Sequence, residues 1–429
     1  MKALKTYSDI SISQDMVPCC VMAPVMSWFV LWVIREAVAS GKKRLYFLAR
    51  DGYSMYRVAK IICEKTGIDL ECRYLYCSRY AWRGAEYHLL REDSLRFIGL
   101  GGIHVTVRKL MARAGLTQEE TEETALLLDM TDRLDEALSY GQIQEMKRLL
   151  GACPAFMQAM EQHAAQNYPL VCAYLKQEGL LDETPYALVD SGWTGSMQKS
   201  LQNLLRSMGC EKAVEGYYFG LYEYPSDMPR EAYHCWYFSP DKYIRRKVHF
   251  SNSLFECIFS SAEGMTTGYA CRDGCYMPLF EKNENPNAAQ IQYTTKILEE
   301  YTLMLLKLFP DSAALPSRGE RRTAQALLSA FMGRPTMREA ERFGAYVFCD
   351  DVVGEGRQTV AANLTYEEIR QNRFWRKAFS RLRKSGAPVE ESAWQEGSVV
   401  RCKEAGDLEL WHCVWYKYGL YIRKRIVQK

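Results

Sequence analysis

The sequence contains no C-x-x-C pair and no H-E-x-x-H motif, and none of its six histidines has the spacing of metal ligands. Zinc-ribbon and thioredoxin-type sites are therefore not expected. No Ser/His or Cys/His pairing indicates a catalytic triad. Neither charge is in marked excess, because 55 Lys and Arg residues stand against 52 Asp and Glu residues, a net charge of +3. This balance argues against nucleic acid as the main partner.

The composition is that of a globular protein. Of 429 residues, 48% are hydrophobic and 25% are charged, which excludes a disordered chain and leaves ample length for two or three domains. The 15 cysteines are scattered and odd in number, and the polar start of the chain does not have the pattern of a secretory signal. We therefore expect a cytoplasmic protein with reduced cysteines, with membrane association as an open alternative.

Residues 16–34 carry no charge and are long enough to span a membrane. Pro18 and Pro24 interrupt the segment, and the part that follows Pro24 has the pattern of a helix ending near Gly41. An aromatic-rich strand comes directly after it. Two interpretations remain open, a buried helix that feeds a sheet and a membrane anchor, and the first is favoured.

A unit of strand, polar glycine-containing turn and helix occurs at residues 44–65 and again at 186–208. Two further strands are predicted at 72–76 and 214–221. This alternation predicts an α/β fold with a parallel sheet and flanking helices. Ligands of such sheets bind beyond the carboxyl ends of the strands. The two turns should therefore lie at the same edge, although about 140 residues separate them in the chain.

Composition along the chain suggests four regions: an α/β core at 1–95 and 181–230, a helical insertion at 96–180, a mixed α+β region at 231–364 and a small basic C-terminal α+β module at 365–429. The module contains fourteen Lys and Arg residues against eight Asp and Glu residues, a net charge of +6. Thr365 and Glu368 form a capping box that predicts a helix start. Basic residues are expected along one face of this helix: Arg370, Arg373, Lys377, Arg381 and Lys384. That face is either solvated or contacts an anionic membrane surface or an acidic polymer.

The segment DSGWTGS at 190–196 follows a predicted strand and opens a predicted helix. Its small residues allow a ligand to approach the backbone closely, and Thr194, Gly195 and Ser196 supply N–H and hydroxyl donors at the positive end of the helix. Asp190, at the tip of the strand, is suited to bind Mg²⁺ or a sugar hydroxyl. The alternative is a tight turn with a helix cap and no ligand.

Two other strand ends add to this pattern. Arg50, Asp51 and Gly52 follow the first strand, and the guanidinium group of Arg50 suits phosphate or carboxylate. Ser78 and Arg79 follow the second strand. Three turns, two carboxylates and two or more arginines on one edge predict a polyanionic ligand with a divalent metal, held by Asp51 and Asp190. An ordinary cap with a surface ion pair is the alternative at Asp51.

Glu256 is an acidic residue within the apolar segment LFECIF. It is either an exposed position on a helix or, if buried, a general acid or base with a raised pKa. His249, just upstream, is a possible partner for it.

The segments YFLARDGY and VDSGWTGSMQ resemble a family of bacterial proteins that are labelled as hydrolases of the haloacid-dehalogenase superfamily and occur with glycosyltransferases in surface-polysaccharide gene clusters. The resemblance covers roughly residues 20–270. Longer members of that family carry a separate N-terminal domain with an Asp-x-Asp nucleophile motif, which we do not find here. Asp190 and Thr194 match the spacing of an Asp-x-Asp-x-Thr loop, but Gly192 stands where the second carboxylate would be.

The same loop also resembles the phosphoribosyl-diphosphate loop of phosphoribosyltransferases. This resemblance implies that Asp190 contacts ribose hydroxyls, that Thr194 to Ser196 cradle a 5-phosphate and that the turn at Arg50 binds diphosphate. Val189 and Met197 depart from the pattern, at the first acid and at a usual threonine. The implied fold is phosphoribosyltransferase-like or Rossmann-like.

From these observations we expect an Mg²⁺-dependent enzyme that binds a phosphorylated sugar, sugar diphosphate or nucleotide sugar and catalyses phosphoribosyltransferase-like transfer in surface-polysaccharide biosynthesis. One alternative is a phosphoester hydrolase that uses Asp190. Another is a non-catalytic scaffold that docks a glycosyltransferase or the membrane surface. The expected catalytic residues are Asp190, Asp51 and Glu256, and the expected binding residues are Arg50, Gly52, Ser78, Arg79, Ser191, Gly192, Thr194, Gly195 and Ser196.

Overall fold

The structure, a computed structural model, describes residues 16–100, 105–282, 285–310, 319–348, 358–376 and 391–427. Its centre is a five-stranded parallel sheet with the strand order β2-β1-β3-β4-β5. The strands are β1 (Arg44–Leu48), β2 (Glu71–Leu75), β3 (Tyr186–Trp193), β4 (Gly216–Leu221) and β5 (Tyr233–Phe238). The predicted α/β fold with a parallel sheet and flanking helices is confirmed. Two antiparallel pairs lie outside this sheet: β6 (Thr266–Arg272) with β7 (Cys275–Phe280), and β8 (Val347–Phe348) with β9 (Gln358–Thr359).

Helices cover both faces of the sheet and form the insertion and the C-terminal region. In chain order they are α1 (Ala23–Ala39), α2 (Gly52–Thr66), α3 (Arg79–Leu90), α4 (Leu95–Ile98), α5 (Val107–Arg113), α6 (Gln118–Leu127), α7 (Tyr140–Gly151), α8 (Pro154–Gln177), α9 (Ser196–Ser207), α10 (Ile244–Val248), α11 (Asn252–Ile258), α12 (Ala288–Leu308), α13 (Glu320–Gly333), α14 (Met337–Gly344), α15 (Tyr366–Gln371), α16 (Gln395–Arg401) and α17 (Asp407–Val427).

The alternation of side chains along β1 divides the core into two layers. Leu45 and Phe47 point to one face, where α1, α2, α11, α12 and α13 contribute to the same hydrophobic cluster. Tyr46 and Leu48 point to the other face, onto α3, α9 and the C-terminal half of α8. A strand buried on both faces is expected in a parallel sheet that helices cover on both sides, and this explains the unbroken apolar run LYFL at 45–48.

The apolar segment near the start of the chain packs inside the protein. Among the described residues, Pro18–Ala39 is the one helical segment long and apolar enough to cross a membrane, and 78% of its most apolar window is buried. Phe29 is fully buried and contacts the rings of Phe219 and Trp236 on the sheet. These contacts are those of a core helix, the favoured interpretation of the sequence.

Helices α4 to α7 and the first half of α8 have a hydrophobic cluster of their own. Helix α8 connects this cluster to the sheet, because Phe156 and Met160 pack within the insertion while Val171 and Leu175 pack beneath the strands. The insertion is therefore anchored by one continuous helix of 24 residues.

The later part of the chain extends the core. Strand β5 completes the main sheet and belongs to the region 231–364, which the sequence predicts as mixed α+β.

The predicted capping box is present, since Thr365 Oγ1 accepts from the Glu368 N–H at 3.3 Å. However, α15 ends at Gln371, so Arg373 lies beyond it and pairs with Glu409 of α17. The remaining predicted basic positions, Lys377, Arg381 and Lys384, lie outside the described residues.

Replacing a core side chain of α1 tests its packing. We expect Phe29→Ala to lower the free energy of unfolding by about 3–5 kcal/mol, because a buried aromatic side chain is lost and a cavity is left. Urea unfolding followed by circular dichroism measures this loss. Val38→Ala in the same helix is the control, since Val38 is 51% exposed and should cost about 0.5 kcal/mol or less. Equal, small losses for both variants would contradict the packing of α1.

Candidate functional site

The strand order places a switch point between β1 and β3. Strands β2 and β1 lie to one side, and β3, β4 and β5 lie to the other. In sheets of this kind, ligands bind beyond the carboxyl ends of the strands, at the point where the strand order reverses. The turn after β1, with Arg50 and Asp51, and the end of β3, with Asp190, meet at this point. The sequence predicted that these two segments share one edge.

A hydrogen bond joins the two segments directly. The Ser191 hydroxyl donates to Oδ2 of Asp51 at 2.5 Å, across 140 positions of the sequence. The Asp51 side chain does not cap α2, so the alternative of an ordinary helix cap is wrong. Asp190 lies beside this contact, and its carboxylate accepts hydrogen bonds from the backbone N–H groups of Ser191, at 2.9 Å, and Gly192.

Glu256 joins the two aspartates as a third carboxylate. It lies on α11, and its Oε1 accepts a hydrogen bond from the indole N–H of Trp193 at 2.5 Å. The negative charge of Asp51 acts on Glu256, and that of Glu256 acts on Asp190. The three residues predicted to be catalytic therefore lie in one cluster, although they come from three separate parts of the chain.

All three carboxyl groups are partly buried, and each has a raised pKa. Burial is the largest cause at Asp190, where it and the charge of Glu256 raise the pKa to about 7. Burial and the charge of Asp190 raise the pKa of Asp51, and burial and the charge of Asp51 raise that of Glu256. Burial thus disfavours the charged form of each carboxyl group, and the neighbouring carboxylates add to this effect.

Two arginines provide the positive charge of the site. Arg79 lowers the pKa of all three carboxyl groups, and Arg50 lowers those of Asp51 and Glu256. Among the described residues, neither guanidinium group forms an ion pair or a side-chain hydrogen bond. Both sets of donors therefore remain available to a phosphate or carboxylate group.

The last two residues of β3 have an unusual backbone conformation. Gly192 has φ of +113°, and a Cβ there would lie 2.4 Å from the carbonyl oxygen of Gly220. Trp193 has φ of +69°, an uncommon value for a bulky residue. Its ring is packed against Phe250 and Phe255, with centroid distances of 5.3 and 5.7 Å. The aromatic packing holds a strained backbone in place, as is common at functional sites.

Helix α9 begins shortly after β3 without a side-chain cap on its first N–H groups, because its N-cap is Gly195 in the left-handed conformation. The Thr194 and Ser196 hydroxyls lie 3.3 Å apart at the same turn. Uncapped N–H groups and two hydroxyls at a helix start form a suitable site for an anion. Thr194, Gly195 and Ser196, which the sequence predicts to bind phosphate, form this helix start.

Two predicted binding residues have structural roles. The Ser78 hydroxyl donates to the carbonyl oxygen of Thr266 at 2.6 Å and accepts from the Ala81 N–H, so it caps α3 and ties it to β6. Gly52 is buried, and a Cβ there would lie 2.9 Å from the Phe47 backbone, so glycine allows α2 to pack on β1. Ser78 and Gly52 thus shape the site through capping and packing.

His249 does not partner Glu256. The charges that act on His249 are those of Glu396, Lys417 and two arginines. Trp193, and not His249, is the partner of Glu256, to which it donates a hydrogen bond. Trp193 lies within the DSGWTGS motif but is not among the predicted site residues, because nothing in the sequence shows which way its ring points.

The donor set of the site suits Mg²⁺. The two aspartates and the neighbouring hydroxyls offer oxygen ligands only. Among the described residues, no group of three or more His, Cys, Asp or Glu side chains forms a ready-made metal site. Mg²⁺ is usually held by one or two carboxylates together with water and substrate phosphates, so two aspartates are enough for it.

No protein-family model matches this chain, and a search of curated proteins finds no similar sequence. The resemblances to haloacid-dehalogenase-type hydrolases and to phosphoribosyltransferases therefore remain predictions from the motifs.

The raised pKa of Asp190 predicts a pH-dependent effect on stability. Between the usual value of 3.8 and about 7, the folded state binds the proton of Asp190 more tightly than the unfolded state does. The protonated carboxyl group of Asp190 therefore contributes to stability at low pH, and this contribution is lost as the pH rises to about 7. In a metal-free buffer we expect Asp190→Asn to be more stable than the wild type by about 1–2 kcal/mol at pH 8, with no gain near pH 4.

Urea unfolding at several pH values measures this difference. Asp93→Asn is the control, because Asp93 is exposed on the surface and should change stability by less than about 0.5 kcal/mol at every pH. A constant difference between Asp190→Asn and wild type from pH 4 to pH 8 would show that the carboxyl group is not buried as described.

Proposed function

We propose that this protein is a cytoplasmic, Mg²⁺-dependent enzyme that binds a phosphorylated sugar diphosphate and transfers the sugar phosphate to an acceptor, as phosphoribosyltransferases do. The observation that carries the proposal is the contact between Ser191 and Asp51, which joins the two loops that resemble the sugar-phosphate and diphosphate loops of those enzymes. The resemblance of the same motifs to proteins of surface-polysaccharide gene clusters supports a role in surface-polysaccharide biosynthesis.

Each part of the site has a role in this reaction. Asp190 accepts hydrogen bonds from the sugar hydroxyls, and the start of α9 with Thr194 and Ser196 binds the terminal phosphate. Arg50 and Arg79 bind the diphosphate and stabilise the negative charge that develops as it leaves. These two arginines suit the task because, among the described residues, neither guanidinium group is held in an ion pair or a side-chain hydrogen bond.

The transfer requires one bond to break and one to form at the anomeric carbon. The bond from this carbon to the diphosphate oxygen breaks, and the diphosphate leaves with the electron pair. The acceptor forms the new bond, and its proton passes to the carboxylate of Glu256, whose raised pKa makes it a base suited to neutral pH. Mg²⁺ held by Asp51 and Asp190 would neutralise charge on the diphosphate when bound.

Ligand binding tests the proposal. We expect phosphoribosyl diphosphate with Mg²⁺ to raise the melting temperature, and Arg79→Gln to weaken its binding roughly tenfold to hundredfold, because a hydrogen-bonded charge pair is lost. Thermal shift and calorimetric titration measure both. Arg148→Gln is the matched control, since Arg148 lies on the exposed surface of α7. The proposal fails if phosphoribosyl diphosphate, sugar phosphates and nucleotide sugars all leave the melting temperature unchanged with Mg²⁺ present.

Phosphoester hydrolysis is a second candidate, and the position of Asp51 supports it. The loop lacks the second carboxylate of the hydrolase motif at Gly192, but Asp51 lies near Asp190 in the fold. In this reaction Asp190 attacks phosphorus, the ester oxygen leaves with a proton from Asp51, and water then cleaves the aspartyl-phosphate.

Trapping the covalent intermediate distinguishes the two candidates. An enzyme that hydrolyses through Asp190 forms an acyl-phosphate there, which borohydride reduces to homoserine and peptide mass spectrometry detects. We expect no such product after incubation with sugar phosphates and Mg²⁺, since the transfer proposed above makes no covalent adduct with the protein. Homoserine at position 190 would favour the hydrolase.

A further inference from the structure

Helix α17 carries large apolar side chains on its outer surface. Leu408, Trp411, Trp415, Ile422 and Ile426 are each between 48% and 69% exposed. At about 100° per residue, these five positions fall within an arc of about 60° around the helix axis. We call these five residues the α17 stripe. A stripe of this kind normally faces a protein core or a partner, and here it faces outward.

The stripe is not needed to hold α17 on the fold. On other sides of the helix, Lys417 pairs with the buried Glu396 at 2.6 Å, and Glu409, 4% exposed, pairs with Arg373. Tyr421 stacks on Tyr222 beyond β4, with a centroid distance of 5.3 Å. The helix is therefore fixed in place while its apolar side remains open.

A third tryptophan lies beside the stripe. Gly419 lies between Trp415 and Ile422 along the helix, about 20° outside the edge of the arc, and a Cβ there would lie 3.3 Å from the ring of Phe374. Trp375 contacts that ring at 4.6 Å and is 61% exposed. The Phe374 ring thus packs against α17 at the border of the stripe, about halfway along it. Phe374 and Trp375 therefore make this border uneven, whereas a second helix would need a straight seam for continuous packing.

The charged residues that the structure places beside the stripe include two arginines. Arg423 and Arg425 are exposed near the C-terminal end of α17 and project on opposite sides of the stripe. The region 365–429 as a whole has a net charge of +6. Exposed tryptophans flanked by arginines are typical of a helix that lies in the interface of a membrane, where the indole rings sit at headgroup level and the guanidinium groups contact anionic lipids.

We infer that α17 docks this protein onto the surface of an anionic lipid bilayer, with the α17 stripe and Trp375 in the headgroup region. A bilayer accommodates the uneven surface that Phe374 and Trp375 create, and its negative charge complements Arg423 and Arg425. This inference does not depend on the proposed function, because it concerns a surface that contributes no catalytic or binding group.

Docking of this kind keeps the candidate site close to the lipid surface. Tyr421 of α17 stacks on Tyr222, and Tyr222 contacts the ring of Trp193 at 6.0 Å. Trp193 in turn donates to Glu256. The helix thus presents its stripe to the membrane and touches the wall of the site with a neighbouring face.

Sedimentation with vesicles tests the inference on the full chain. We expect the protein to bind vesicles of phosphatidylcholine with phosphatidylserine at low salt, to shift its tryptophan emission to shorter wavelength, and to dissociate as the salt concentration rises. Vesicles of phosphatidylcholine alone should bind it far more weakly.

The charged variant is Arg423→Gln with Arg425→Gln. Each arginine near an anionic surface contributes about fivefold to binding, so the pair should weaken binding roughly 25-fold. The control, Arg133→Gln with Arg148→Gln, removes the same charge from exposed positions in the insertion and should leave binding within about twofold of the wild type.

The apolar variant is Trp411→Ser with Trp415→Ser, which should weaken binding by at least about tenfold. Leu126→Ser with Leu127→Ser is its control, because these residues are 73% and 61% exposed on α6. Circular dichroism melting of each variant confirms that the fold is retained.

Three outcomes would overturn the inference: no binding to anionic vesicles, equal binding of folded stripe variants and wild type, or a wild-type dimer in sedimentation velocity that the stripe variants dissociate. The last would assign the stripe to a second copy of the chain. None of these results bears on sugar-phosphate binding, so each can contradict membrane docking without contradicting the proposed function.

Discussion

The hydrogen bond from Ser191 to Asp51 joins two loops that the sheet alone leaves as neighbours. Parallel pairing of β1 with β3 brings the ends of these strands to one edge, but it does not orient the side chains that follow. The hydroxyl of Ser191 does so, because a hydrogen bond to a carboxylate is stronger than one between neutral groups and aligns donor and acceptor. Asp190, Glu256 and the two arginines take their places around this contact.

The site is held in an electrostatically unfavourable state by the rest of the fold. Three carboxyl groups with raised pKa values lie together, and two guanidinium groups offset only part of their charge. Such a cluster persists because the surrounding structure fixes its members: the sheet holds Asp190, the turn before α2 holds Asp51, and Trp193 holds Glu256. A polyanionic ligand bound by the arginines and a divalent cation bound by the carboxylates would both relieve the imbalance.

Aromatic packing links the site to the C-terminal part of the chain. Trp193 is packed among Phe250, Phe255 and Tyr222, and Tyr222 is stacked by Tyr421 of α17. The strained backbone of Trp193 is therefore supported by residues that follow it by 29 to 228 positions in the chain. The region that carries the basic charge is thus continuous with the wall of the site, although the sequence presents it as a separate module.

Local sequence pattern by itself determined the α/β class, four of the strands of the main sheet, the helix start marked by the capping box of Thr365 and Glu368, and the two segments that form the site. Each of these depends on neighbours in the chain: a buried apolar run such as RLYFL, a glycine-rich turn, or a hydroxyl three residues before a glutamate. The expectation that Arg50 and Asp190 share an edge followed from a topological rule and is met in the fold.

Contacts between distant segments decided the rest. The addition of β5 to the sheet, the hydrogen bond from Trp193 to Glu256, the structural role of the Ser78 hydroxyl and the location of His249 away from Glu256 all depend on side chains whose partners lie far away in sequence. The exposure of the α17 stripe likewise depends on contacts between distant segments. An apolar face shows in the sequence as periodicity, but only the packed structure shows whether that face is covered.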